Sequence, residues 1–179
     1  ITAVEEFGLE GPVENWIGIR EEIRQEIERD GWDAERGTYT QYYGGSGVDA
    51  SLLQLPQVGY LKADDPRMLS TVAAIEDELL QDGLVLRYRT ESGVDGLPDG
   101  ENPFLTCSFW LVEQYASSGR VSDATVLMDR LVGFANDVGL ISEEYDTVNE
   151  RQAGNTPQAL SHLALVRAAD AISKAKNPQ

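Results

Sequence analysis

Six segments of the chain carry apolar residues at helical spacing, and they alternate in kind. Those at 13–30, 66–81 and 122–136 are amphipathic with one heavily charged face. Those at 50–59, 104–118 and 157–173 are more apolar and contain small residues. A helix apolar on every side needs cover on every side, whereas a half-charged helix can cover it from outside. The pattern predicts an all-α fold of αα-hairpins, with greasy inner helices backed by charged outer ones around a shared axis. The starts of the inner segments, at Asp49, Pro103 and Thr156, recur about every 54 residues, a repeat of architecture without a repeat of letters.

Glycine and proline punctuate these segments. Pro12, Pro66, Pro103 and Pro157 fit first turns of helices, Asp49 and Ser122 fit N-caps, and Gly8, Gly31, Gly83 and Gly119 fit helix stops. The opening ITAVEEFG reads as the last turns of a helix with nothing to start it, so the native protein is expected to extend upstream. Long loops rich in Gly, Tyr, Arg and Glu precede the inner helices, and short turns follow them. Long polar loops on one rim of a rigid scaffold are where chemistry concentrates.

With 179 residues the chain can form one domain with a sizeable core, and 41% hydrophobic content excludes a disordered tail. No stretch approaches the roughly 18 apolar residues of a membrane-spanning helix. Its 31 acidic against 14 basic residues give a net charge of −17, which repels nucleic acid and anionic lipid. Only Lys62, Lys174 and Lys176 are lysines, a surface suited to a salty cytoplasm. One cysteine, Cys107, forms no internal disulfide, and its apolar neighbours place it in a buried helix without a partner base. His162 has no companions at metal-ligand spacing and reads as a core histidine. The absence of GxxxxGK[ST] excludes P-loop phosphoryl transfer.

Two loops hold groups of catalytic type. In ISEEYD, Glu143 and Glu144 are adjacent, and crowded carboxylates favour a raised pKa suited to a general base; from spacing alone, a solvated loop in a chain that is acidic throughout is the plainer reading. Arg87, Tyr88 and Arg89, with Glu101 and Asn102 in the next stretch, offer planar hydrogen-bonding groups and an aromatic face, as do Tyr39, Gln41, Tyr42 and Tyr43 ahead of Asp49. Such a cluster suits a carbohydrate, and equally a set of surface ion pairs and helix-end packing.

Five stretches in order, DASLLQLP, DGLVLRYR, GLPDGENPFLTCSFWLVEQYA, GLISEEYD and GNTPQALSHLALV, resemble the C-terminal part of glycoside hydrolase family 15, which contains glucoamylases, glucodextranases and trehalases. The match runs from Glu5 to Ala169. It implies an (α/α)6 barrel, of which this chain makes about half, with the N-terminal part of the same domain absent. It also implies an exo-acting, inverting hydrolase of α-glucosidic bonds that releases glucose and needs no cofactor. Its substrate would be an α-glucan, an oligosaccharide or trehalose. By resemblance Glu143 is the general base and Glu144 a sugar contact. Arg87 holds hydroxyls of the ring being cleaved, and Tyr88, Glu101 and Phe104 line neighbouring subsites.

Two departures stand out. The family's general acid lies in a Trp-Glu pair, but Trp16, Trp32 and Trp110 are followed by Ile, Asp and Leu. The acid is therefore expected upstream, and the 179-residue piece alone is expected to be inactive, since positioned proton transfer contributes about 10²–10⁴-fold. Leu160 stands where relatives carry an aromatic. Half a barrel would leave inner helices uncovered, so self-association is expected. The competing reading is a non-catalytic α-hairpin module that binds carbohydrate or protein on its rim.

Overall fold

The computed structural model describes residues 1–90 and 100–177, and the fold is all-α with three small β-hairpins. Residues 91–99 of the arginine- and glycine-rich stretch, including Gly96 to Asp99 of its GLPDG sequence, lie outside the described residues. The helices are α1 (Thr2–Phe7), α2 (Val13–Glu26), α3 (Pro66–Leu79), α4 (Leu105–Ser117), α5 (Val121–Val132) and α6 (Ala159–Lys176).

Helix α4 is the hub. Ten of its residues are buried, including Leu105, Phe109, Leu111 and Val112, because α5, α6 and the segment around Ala50 pack on different sides of it. Helix α3 shows the amphipathic case: Met68, Val72, Ile75 and Leu79 form one buried stripe while the other face keeps its charges. Its start is set by Asp65, whose side chain accepts the Arg67 N–H at 2.8 Å, with Pro66 in the first turn.

Several boundaries differ from the sequence pattern. The segment 50–59 forms one turn of 3-10 helix, Ala50–Gln54, and then loose turns rather than an inner α-helix. Pro56 has no N–H for the carbonyl of Leu52, so a regular helix cannot run through it. Asp49 caps this turn as expected, accepting the Ser51 N–H at 2.7 Å. Helix α2 ends in a π-helical turn, Ile27–Gly31, instead of running on to residue 30. Ser122 does not cap α5; the helix begins one residue earlier, and Arg120 at its cap position pairs with Asp123 and Glu76. Helix α6 starts at Ala159, after Gln158, whose side chain accepts the Leu160 N–H.

The hairpins join helices to loops. Strands β1 (Trp32–Asp33) and β2 (Thr38–Tyr39) pair, as do β3 (Leu80–Gln81) and β4 (Leu84–Val85), and β5 (Glu144–Asp146) and β6 (Arg151–Ala153). Gly83 is therefore a hairpin residue rather than a helix stop. Asp82 and Gly83 both have positive φ, 51° and 72°, as a two-residue Asp-Gly turn requires.

Two apolar faces stay open. Trp16, Ile19 and Ile23 of α2 are exposed, as are Leu160, Leu163 and Val166 of α6. On α6 the buried positions Ser161, Ala164, Ala168 and Ile172 form the opposite stripe, which explains its small residues: they let α4 come close.

Candidate active site

The hairpin β5–β6 positions Glu143, which immediately precedes β5. Its main chain is tied on two sides. The Glu143 N–H donates to the carbonyl of Asn155 at 2.9 Å, and the Glu143 carbonyl accepts the Leu105 N–H at 3.0 Å. That second bond serves the start of α4, where Phe104 provides no side-chain cap. Tyr145 donates its N–H to the carbonyl of Pro103 at 3.2 Å, and its ring stacks on Phe134 with centroids 3.8 Å apart. Asp146 closes the hairpin turn. It accepts from the Asn149 side chain at 2.8 Å, from the N–H groups of Val148 and Asn149, and from Arg151. The Asn149 bonds and Arg151 hold its carboxyl down at about 2.

Glu143 lines a cavity of about 380 Å³. Arg87, Tyr88 and Phe104 line the same cavity, together with Trp110 and Leu160. Arg87 is placed from two directions: its carbonyl accepts the Ala50 N–H at 2.8 Å, and two residues before it Val85 donates its N–H to Ser108 Oγ of α4 at 3.0 Å. Its guanidinium donates to Glu101 at 2.6 Å and lies over the rings of Tyr88 and Phe104, 4.6 and 5.0 Å from their centroids. A short charge-assisted bond and two aromatic faces fix the orientation of a planar group whose donors come in a fork.

Glu101 and Glu144 stand one layer back. Glu101 holds Arg87, and Glu144 accepts from the Asn102 side chain at 3.2 Å. Burial raises the Glu144 pKa; Glu101 and Glu143 add to the rise, while Asn102 and Arg87 oppose it. The six site residues read from the sequence thus come together around one cavity, four in its wall and two behind them.

Other expectations sort differently. Tyr39 is a core residue, edge-on to Trp32 and Tyr60, and Tyr42 and Tyr43 are exposed. From that loop Gln41 reaches the wall, donating to Asp49 at 3.1 Å. The His162 side chain accepts the Ile141 N–H on Nε2 at 3.1 Å, a structural role at a half-buried position rather than in the core. Cys107 is buried, and burial pushes its thiol up to about 12. Among the described residues no group of three His, Cys, Asp or Glu is arranged to hold a metal ion.

Residue-level reading missed Trp110, Gly154 and Asn155. Trp110 carried a usable signal: it lies three residues after Cys107 and thus on the same helix face. Asn155 carried none, since its importance depends on a contact with Glu143 twelve residues away. Both its main-chain N–H, at 3.1 Å, and its side-chain amide, at 2.9 Å, donate to Glu143 Oε2.

Known proteins resemble this chain over most of its length. The trehalase of Thermoplasma acidophilum is 40% identical over 98% of this chain, and those of Mycolicibacterium smegmatis and Mycobacterium tuberculosis are 44% and 43% identical over 94% and 96%. The chain spans 30% of the length of the first and 25% of the other two. A solved wild-type glycosidase superposes with a TM-score of 0.75 at 22% identity, covering 88% of this chain and 44% of its own, and a variant of it in complex with glucose superposes equally. The helical fold is of the (α/α)6 barrel type, and this chain forms about half of one barrel. The sequence profile described as Glycosyl hydrolases family 15 matches residues 1–170, and with it the chain belongs to that family.

Proposed function

We propose that the full-length protein carrying this chain is an inverting, exo-acting α-glucosidase. In this reading the chain supplies the general base, Glu143, and the general acid lies outside it. The observation that carries the reading is that Glu143 lines the same cavity as Arg87, Tyr88 and Phe104.

The chemistry follows from that arrangement. A pyranose ring has apolar faces and a hydroxylated rim, which suits walls made by Phe104, Trp110 and Leu160 with a guanidinium at one side. Arg87 hydrogen-bonds ring hydroxyls. Glu143 takes a proton from a water molecule as that water attacks the anomeric carbon, on the face opposite the departing oxygen. An acid elsewhere protonates the departing oxygen. Tyr88 shapes the adjoining subsite together with Phe104, Glu101 keeps Arg87 in place, and Glu144 contributes to the rim. No cofactor enters this reaction. The substrate is an α-glucan, an oligosaccharide or trehalose, and the relatives named trehalase put trehalose first.

The test is proton NMR on the full-length protein with trehalose, maltose and isomaltose. Inversion on trehalose gives one β-glucose and one α-glucose per bond cleaved, because water attacks one anomeric carbon while the other keeps its oxygen. Glu143→Gln is expected to lower release by about 10²–10⁴-fold, to a small measurable residue, while sugar binding persists. The 179-residue chain alone is expected to release no glucose. Early α-glucose only would overturn inversion, and no glucose from any substrate would leave a carbohydrate- or protein-binding module.

A further inference from the structure

We infer that Asn155 is a positioning residue that fixes the Glu143 carboxylate by one oxygen, Oε2, and leaves Oε1 to receive the proton. The inference rests on the reading of Glu143 as the general base.

Three hydrogen bonds join the two residues. Glu143 donates its N–H to the Asn155 carbonyl at 2.9 Å, and Oε2 of Glu143 accepts the Asn155 main-chain N–H at 3.1 Å and its side-chain amide at 2.9 Å. Among the described residues Oε1 accepts none. The terminal torsion of a glutamate is broad and nearly two-fold, so a carboxylate without partners samples many orientations. Two donors from one residue, meeting the same oxygen, remove that freedom.

The local backbone is shaped for this contact. Strand β6 ends at Ala153, opposite Glu144, and the next residue turns the chain across the Glu143 side chain. That residue is Gly154, with φ of 72°. A Cβ there would stand 2.9 Å from Glu143 Oε2 and 3.0 Å from Glu143 Cβ. Both the left-handed conformation and the close approach therefore call for glycine. Beyond Asn155 the chain is anchored again, where Gln158 donates its N–H to the carbonyl of Ile141 at 2.9 Å.

This divides the work of the carboxylate. Oε2 is a structural acceptor, and Oε1 is left for the water. A general base must lie within about 2.6–3.2 Å of the proton it takes, and a misplacement of about 1 Å can cost 10²-fold. Asparagine suits the position because its short side chain brings a second donor alongside its own main-chain N–H.

The experiment is a double-mutant cycle in the full-length protein, with glucose release from trehalose as the readout. Asn155→Ala removes one donor and is expected to lower kcat about 10- to 100-fold with KM within about twofold. Asn155→Asp has nearly the same shape but sets an acceptor against Oε2, and is expected to lower kcat further. Thermal melts of both variants verify folding, and the aspartate variant serves if the alanine variant does not fold. The deciding measurement adds Asn155→Ala to Glu143→Gln, where no further loss is expected because the group it positions is already gone. A loss that multiplies in the double variant, a loss confined to KM, or turnover within twofold of wild type in Asn155→Ala would overturn the role of Asn155 while leaving Glu143 as base. Wild-type turnover in Glu143→Gln would instead overturn the base reading, and this inference with it.

Discussion

Replacing Gly154 with alanine separates backbone strain from displacement of the carboxylate, provided that Gly139→Ala is measured beside it. Both glycines have left-handed backbones, with φ of 72° and 78°. An L-residue there costs about 1–2 kcal/mol, so both variants are expected to lose similar stability. They differ in what the new methyl group meets. At Gly139 it meets nothing within 4 Å, whereas at Gly154 it comes 2.9 Å from Glu143 Oε2, where ordinary contact begins at 3.4 Å. The carboxylate must retreat by roughly half an ångström, and at about 10² per ångström that predicts a turnover loss of about tenfold. Thermal melts and steady-state glucose release from the full-length protein give the two readouts. The expected pattern is matched melting temperatures with turnover lost only in Gly154→Ala. Equal turnover loss in both variants, or none in either, would refute the link between that contact and the chemistry.

Phe109 is fully buried at the centre of α4, and Phe109→Ala is expected to cost about 3–5 kcal/mol, read as a lowered urea midpoint. The Asp146 carboxyl sits at about 2 in the folded chain, below its ordinary value of 3.8, so its stabilisation is complete above about pH 4 and fades as pH falls towards 2. The stability difference between wild type and Asp146→Asn should shrink over that window, and a difference that stays constant there would contradict the assignment. Cys107 should resist iodoacetamide at pH 8 while folded and react fully in urea; rapid labelling of the folded chain would mean the helix is not packed as described. The open faces of α2 and α6 predict concentration-dependent association of the 179-residue chain in sedimentation velocity, and a single monomer peak at every concentration would argue against it.

Much of the helical frame was legible because local chemistry sets it. Asp65 and Pro66 start α3, Gly119 ends α4 with φ of 90°, and the stripe Met68, Val72, Ile75 and Leu79 carries its own period. The small hairpins were less visible. Asp82-Gly83 announces a two-residue turn, yet after an amphipathic run it also reads as a helix stop. The failed inner helix at 50–59 shows the limit of apolar content as a guide, since a proline at position 56 outweighs it. At the site, residue types alone left Glu143 and Glu144 open between a base and a solvated loop. The resemblance of five stretches singled out Glu143. Arg87 and Glu101 are fourteen residues apart, and Glu143 and Asn155 twelve. Pairings of that kind exist only once the hairpins and α4 have formed, so no local pattern encodes them.

The stitching of Glu143 has a consequence for motion. Its carbonyl holds the first amide of α4, its amide is held by Asn155, and the carbonyl of Ile141 holds the amide that begins the approach to α6. The loop cannot swing out without baring the leading ends of two helices at once, so its opening costs as much as a larger cooperative unit. The amides of Leu105, Glu143 and Gln158 should therefore exchange with deuterium at one common, slow rate, unlike those of a loop that breathes by itself. The carboxylate would then be held still while sugar enters and leaves the cavity.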